Sequence, residues 1–219
     1  MGIIENFQRI DREIPGNVKI IVVTKTRGID DILTIYNYGH KQFGENKVQE
    51  ILVKQPYLPP DIEWHFIGHL QSNKVRYLAP FIHLVHSVDS LKLLMEVDKE
   101  GIKNDRIIRC LLQFHIASEE TKFGLDLSEA RAILDAEEYK KMNNTRIAGV
   151  MGMATNTDDH SLIRSEFRTL RNYFNILKND YFSGNDEFCE ISMGMSSDFH
   201  LAIEEGATLV RIGSAIFTP

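Results

Sequence analysis

Strict alternation between short apolar runs and longer amphipathic segments is the feature that most constrains how this chain can fold. The first run, KIIVVT at residues 19–24, is too apolar for an exposed strand. Its β-branched residues predict a strand buried on both faces, as in a parallel sheet. Similar runs predict seven further strands, at residues 42–44, 64–67, 82–86, 107–114, 146–151, 187–192 and 208–212.

The segments between these strands carry apolar residues at helical spacing. The longest amphipathic segment, near residues 161–177, repeats apolar residues at helical spacing, and a similar stripe from Ile3 to Ile14 predicts an extra helix before the first strand. Eight β–α units in 219 residues predict an α/β fold, a (β/α)₈ TIM-type barrel that forms a single domain over residues 1–219. An open doubly wound sheet is the rival, but no GxGxxG fingerprint follows the first strand.

Charge and composition exclude several classes of protein. The net charge of −6 and the lack of a basic run argue against nucleic-acid binding. No stretch approaches the roughly 18 apolar residues of a membrane span, and residues 1–12 lack the apolar segment of a secretory signal. Cys110 and Cys189 lie in apolar runs that are typical of inert core cysteines. Free cysteines of this kind predict that the protein is located in a reducing cytoplasm. With no HExxH or CxxC spacing, we predict no metal site.

Polar residues collect where the predicted strands end, which is where barrels of this kind carry their chemistry. Lys25 directly follows the first apolar run. Desolvation among apolar side chains would favour its neutral amine, which can attack a carbonyl group. A lysine that extends from a strand end into solvent is the alternative, and the remaining motifs favour the reactive interpretation.

Two glycine- and serine-containing turns predict a phosphate site. SMGMSSD contains Met193 and Ser196 at an expected helix start, and RIGSA contains Gly213 and Ser214. Loops after the seventh and eighth strands are the recurrent phosphate site of these barrels, because backbone N–H groups and the helix dipole favour a dianion there. Serine N-caps beside turn glycines would explain either motif alone.

Arg211 lies within an otherwise apolar predicted strand. A guanidinium stays charged, so its burial requires a partner. That partner is either a carboxylate in a structural salt bridge or the ring nitrogen of a bound pyridine cofactor.

These motifs together closely resemble the pyridoxal phosphate homeostasis protein family, which is similar in fold to the N-terminal barrel of alanine racemase. The resemblance extends over nearly the whole chain, through VVTKT, FGENKVQE, WHFIGHLQSNK, HSVD, EETKFG, GVMGMA, SMGMSSDF and LVRIGSAIF. It implies a cofactor held as an internal aldimine, a Schiff base on Lys25. One departure is visible, because His115 stands where the family usually has asparagine.

The resemblance also implies a set of contacts around pyridoxal phosphate. The phosphate would lie near Ser196, Gly213 and Ser214, and Arg211 would face the ring nitrogen. The remaining implied cofactor-binding residues are Asn46, His65, Ser87 and Met193.

The family resemblance favours a binding protein over an enzyme. It implies a carrier or regulator of the cofactor and of amino and keto acids, with no established turnover. The sequence ends at Pro219 without the second domain and catalytic tyrosine of alanine racemases, and proton abstraction needs an acid and a base on both faces of a carbon. The alternatives are an enzyme with weak racemase-like activity and a cofactor-free aldolase. Apo enzymes are possible acceptors, and a monomer is the default expectation.

Overall fold

A computed structural model describes residues 2–119 and 123–218, so that residues 120–122 of the EETKFG segment lie outside the described part. Eight parallel strands close into a barrel in which each strand pairs with its neighbours in the sequence and β8 pairs with β1. The predicted (β/α)₈ barrel is confirmed. The strands are β1 Lys19–Val23, β2 Gln42–Glu45, β3 Glu63–Phe66, β4 Leu84–Val88, β5 Ile108–Phe114, β6 Thr145–Gly152, β7 Glu190–Met195 and β8 Leu209–Ile212.

Helices alternate with the strands along the chain. They are α1 Ile3–Glu13, α2 Ile29–Asn37, α3 Val48–Lys54, α4 Val75–Leu78, α5 Leu91–Lys103, α6 Leu127–Asp135, α7 Glu137–Lys140, α8 His160–Asp180, α9 Phe199–Glu204 and α10 Ser214–Phe217. Short 3₁₀ turns at Gln55–Tyr57 and Ser72–Lys74 follow α3 and precede α4. None of the helices in the described ranges is long and apolar enough to cross a bilayer.

The extra N-terminal helix packs against the other end of the chain. The Asn6 side chain of α1 donates hydrogen bonds to the carbonyl oxygens of Ile216 (3.1 Å) and Thr218 (3.2 Å). Because the last carbonyl groups of a helix lack partners within it, Asn6 satisfies the carboxyl end of α10. The two termini of the barrel are thereby joined.

Two strands lie later in the sequence than the apolar pattern predicts. β4 was expected at residues 82–86 and β7 at 187–192, yet they extend to Val88 and Met195. In both strands the pairing register shifts, between Val85 and Val88 and between Ser192 and Met195. Such irregularities add residues to a strand without changing its apolar composition, so SMGM belongs to β7 rather than to the loop after it.

The barrel interior combines a small apolar cluster with a row of polar side chains. The cluster is separate from the main core between strands and helices, and it consists of Ile21, Leu84, Leu111, Ala148, Met151 and Leu209. His65, His86, Ser192 and Arg211 are also at least 96% buried. Since buried polar groups need hydrogen-bond partners, the partners of these four side chains determine how the interior is stabilised.

Gly194 allows β7 to pack closely against α9. Its φ is +90°, and a Cβ at this position would lie 2.5 Å from Cβ of Ala202. Both the left-handed backbone and the close approach exclude larger residues. The glycine of SMGM is therefore required for packing.

We expect Gly194→Ala to lower the free energy of unfolding by about 3 kcal/mol, because left-handed strain and overpacking add together. Gly184→Ala is the matched control, since its φ is +78° but nothing lies within 4 Å of a Cβ there. That control should lose only about 1 kcal/mol. Denaturant titration measures both values, and equal losses would contradict the close contact with Ala202.

Candidate functional site

A cavity of about 290 Å³ opens at the carboxyl ends of the strands. Six of the predicted cofactor-binding residues line it, namely Lys25, Asn46, Ser196, Arg211, Gly213 and Ser214. Five further lining residues were not predicted, namely Val23, Ile67, Met153, Met195 and Ser197. Four of them are apolar residues at strand ends, which give no chemical signal in a sequence, and the fifth, Ser197, directly follows the predicted Ser196.

Lys25 reaches the cavity from the end of β1, but it is exposed. The expected desolvation of its amine is therefore not provided by the surrounding side chains, which is a correction to the sequence analysis. Thr26 follows with a φ of +64°, a left-handed conformation that costs roughly 1–3 kcal/mol outside glycine. Its N–H donates to Oε2 of Glu50 at 2.8 Å. The chain thus turns sharply just after the lysine.

A buried ion pair anchors this turn to the next β–α unit. Lys54 of α3 donates to Oε1 of Glu45 (2.6 Å) and to the carbonyl oxygen of Thr24 (2.9 Å). The Thr24 hydroxyl donates to the same Glu45 oxygen at 2.6 Å. Burial raises the pKa of Glu45, whereas its bonds from Lys54 and Thr24 oppose the rise. The glutamate of the FGENK motif therefore fixes the backbone that presents Lys25.

Backbone N–H groups that follow β8, one in the turn and one in α10, converge on Ser196. Its Oγ accepts from the N–H groups of Gly213 (3.2 Å) and Ala215 (3.3 Å). A Cβ at Gly213 would lie 3.2 Å from both Cβ and the carbonyl oxygen of Val23. The donors of the expected phosphate site come from Gly213 and from Ala215 at the start of α10. They do not come from the helix after β7, because α9 begins only at Phe199.

Arg211 is only 4% exposed, and neutral oxygen atoms satisfy its guanidinium. It donates to Oγ of Ser192 at 2.6 Å and to the carbonyl oxygen of Gly152 at 3.1 Å. Burial lowers the pKa of Arg211 to about 10, with the charge of Asp198 opposing the shift. The guanidinium therefore stays protonated at neutral pH.

Behind Arg211, a row of hydrogen bonds crosses the barrel interior. Oγ of Ser192 lies 2.9 Å from Nδ1 of His86, whose Nε2 lies 2.9 Å from Nδ1 of His65. Burial lowers the pKa of both histidines well below its usual value, and repulsion from His83 for His65, and from His65 for His86, adds to this. Both rings are therefore neutral. His65 was predicted as a binding residue, whereas no role was predicted for Ser192 or His86. The available signal was that each is a polar residue within an otherwise apolar strand.

Three of the predicted binding residues do not line the cavity. His65, Ser87 and Met193 are buried within β3, β4 and β7. Oγ of Ser87 and the buried Oδ1 of Asn46 have no hydrogen-bond partner among the described residues. His115 also lies outside the cavity lining, and its Nε2 is 2.8 Å from the carbonyl oxygen of Glu119. Oδ1 of Asn46 is thus a buried polar atom on the cavity wall that has no hydrogen-bond partner among the described residues.

Comparison with known sequences agrees with the family resemblance of the motifs. The family described as alanine racemase, N-terminal domain, matches residues 2–219. A pyridoxal phosphate homeostasis protein from Aquifex aeolicus is 38% identical over 200 residues, which cover 91% of this chain and 86% of that protein. One from Synechocystis is 33% identical over 216 residues and covers 96% and 95% of the two chains.

Solved structures extend the comparison to the fold. PipY from Synechococcus elongatus, solved without pyridoxal phosphate, superposes with a TM-score of 0.91 at 33% identity, covering 98% of this chain and 99% of its own. The same protein with pyridoxal phosphate bound gives 0.87 at 32% identity, with the same coverage. An alanine racemase from Bartonella henselae gives 0.73 at 14% identity over 99% of this chain and 58% of its own. This last likeness shows the fold alone.

The neutral state of the two buried histidines predicts a dependence of stability on pH. In the unfolded chain a histidine has a pKa of about 6.5, and burial lowers the pKa of His65 and His86 in the folded protein. The unfolded chain therefore binds more protons as the pH falls, and stability is lost below about pH 6.5.

Each such histidine contributes up to about 1.4 kcal/mol per pH unit to this loss. We expect His86→Gln to reduce the slope of unfolding free energy against pH, between about pH 6 and pH 5, by about that amount. His160→Gln removes an exposed histidine and should leave the slope unchanged. Denaturant unfolding at several pH values measures the slopes, and identical slopes in both variants would contradict the interpretation.

Proposed function

This chain belongs to the pyridoxal phosphate homeostasis protein family, within the alanine racemase N-terminal domain family, and on that basis we propose that it binds pyridoxal phosphate in the cavity at the carboxyl ends of the strands. The proposal assigns the Schiff base to Lys25. The observation that carries it is the convergence of an amine, a buried guanidinium and the glycine–serine turn after β8 on one cavity.

The cavity residues fit the separate parts of this cofactor. The N–H groups of Gly213 and Ala215, which donate to Oγ of Ser196, are donors that suit a phosphate dianion. The unpaired Oδ1 of Asn46 needs a donor that these residues lack. A volume of about 290 Å³ is near the lower end of small-molecule pockets, roughly 300 Å³. This size favours a small ligand that is partly open to solvent.

Lys25 is exposed, and this bears on how the cofactor is held. When bound, pyridoxal phosphate supplies an aldehyde for a reversible bond to an amine and a ring that can accept electrons. The anchored turn after β1 orients the Lys25 amine, while the exposed approach leaves it accessible to water and competing amines. These features support a role in storing and passing on the cofactor, with apo enzymes as acceptors.

The polar groups of the cavity support binding rather than catalysis. Among the described residues that line it, Lys25 and Arg211 are the ionisable ones. Arg211 can only donate, so a ring nitrogen facing it would be unprotonated and a weaker electron sink. Proton transfer on both faces of a carbon needs a second acid or base. We therefore propose a regulator of the cofactor and of amino and keto acids that acts without turnover, as one domain over residues 1–219.

The first test is an absorption spectrum with and without added pyridoxal phosphate. We expect a violet band in the wild type and none in Lys25→Ala, because the alanine variant lacks the amine that forms the Schiff base. Lys47→Ala removes a nearby exposed lysine and should keep the band. Borohydride reduction and peptide mass analysis should place the modification on Lys25. A wild type that stays colourless would refute cofactor binding and favour a cofactor-free aldolase.

A second test separates carriage from catalysis. We expect loaded protein to show no racemase or transaminase turnover above the rate of free cofactor with alanine. It should load an apo acceptor enzyme faster than cofactor leaks to solvent, as measured by the recovery of acceptor activity. A substantial turnover that Lys25→Ala abolishes would instead establish the alternative, an enzyme with weak racemase-like activity.

A further inference from the structure

Three potential metal ligands meet at the end of the barrel opposite the cavity. Glu63 begins β3, His65 lies two residues further along, and His83 directly precedes the neighbouring strand β4. One ligand atom from each side chain lies within 4.8 Å of the others. We propose that these three residues bind a divalent cation of the zinc class.

The buried ring of His65 provides the independent observation. His65 is only 2% exposed, and its Nε2 has no hydrogen-bond partner among the described residues. An unsatisfied buried polar atom costs about 1–3 kcal/mol. Its other nitrogen, Nδ1, is already engaged with His86 at 2.9 Å. A metal-bound histidine has the same arrangement, with one nitrogen on the ion and the other fixed by an outer hydrogen bond.

The interior row of hydrogen bonds can run in two directions. Arg211 only donates, so Ser192 accepts from it and can donate to His86. His86 then carries its proton on Nε2 and donates to His65, whose proton lies on the unpaired Nε2. In the reverse direction, His65 donates through Nδ1 and presents a lone pair at Nε2, and Ser192 accepts twice.

A bound cation selects the reverse direction. Without the cation, the reverse direction leaves two groups without a partner, the Ser192 hydroxyl proton and His65 Nε2. The first direction, from Ser192 to His65, leaves only the proton on His65 Nε2. The cation occupies Nε2 and removes this difference. Each neutral imidazole keeps one proton, so the change is a switch of tautomer in His65 and His86 with no change in charge.

The other two ligands are accessible from solvent. The side chains of Glu63 and His83 are 38% and 35% exposed, and their Oε2 and Nε2 atoms lie 3.9 Å apart. A tetrahedral zinc site brings ligand atoms to about 3.3 Å from one another, so these side chains would close around the ion when it binds. Gln42 donates to Glu63 Oε2 at 2.9 Å and orients the carboxylate.

Neighbouring positive charges are compensated at this end of the barrel. Lys19 pairs with Glu190 at 2.6 Å, and Arg109 lies 3.8 Å from the same carboxylate. Two imidazoles and one carboxylate match a common zinc-binding set, which leaves a fourth position for water. The chemistry favours zinc over magnesium or calcium, because those ions prefer oxygen ligands.

The test is a titration of the full-length protein with zinc, followed by calorimetry and by metal analysis after dialysis. We expect one zinc ion per chain in the wild type and affinity at least about 100-fold weaker in His83→Gln and in Glu63→Gln. Matched controls, His160→Gln and Glu138→Gln, alter exposed residues elsewhere and should bind as the wild type does. No binding by the wild type, or unchanged binding by both ligand variants, would overturn the proposal.

Long-range ¹H–¹⁵N spectra of the histidine rings provide a readout that requires no variant. We expect zinc to move the proton of His65 and of His86 from Nε2 to Nδ1, while His160 stays unchanged. Zinc bound without this switch would place the ion elsewhere and refute the site.

Discussion

The barrel interior has to accommodate the almost fully buried guanidinium of Arg211. Removing such a charge from water is unfavourable unless hydrogen bonds replace the lost solvation, and these come from Ser192 and the carbonyl oxygen of Gly152. Once Ser192 accepts from Arg211, its remaining hydrogen-bonding capacity extends to His86 and through it to His65. The buried polar row follows from this one residue, and it connects the cavity with the opposite end of the barrel.

The two ends of the barrel use polar residues differently. At the carboxyl ends of the strands, an exposed lysine and converging N–H groups form an open cavity. The buried Lys54–Glu45 pair anchors the turn beside Lys25 and supports the left-handed backbone at Thr26. At the amino ends, a buried ring and two half-exposed side chains surround the proposed metal site. The row of hydrogen bonds from Arg211 to His65 lies between the two sites.

The sequence predicted most strands and most cavity residues, and its errors have physical causes. β4 and β7 extend beyond the apolar runs because register shifts insert residues that composition does not reveal. Lys25 was expected to be desolvated, since the apolar run before it suggested burial, but its side chain emerges where the strand ends. The metal ligands were missed because Glu63 begins β3 and His83 directly precedes β4, 20 residues later, a spacing that matches no local motif.

The sequence by itself determined the alternation of strands and helices, the closed parallel barrel and the position of Lys25, because periodicity and β-branched content act locally along the chain. It also placed Arg211 in a buried strand, which required a partner of some kind. Only the tertiary structure decided that this partner is Ser192, that Gly213 and Ala215 direct their N–H groups at Ser196, and that His65 is left with an unpaired nitrogen. Hydrogen bonds between distant strands depend on register and curvature, and no local pattern in the chain encodes either.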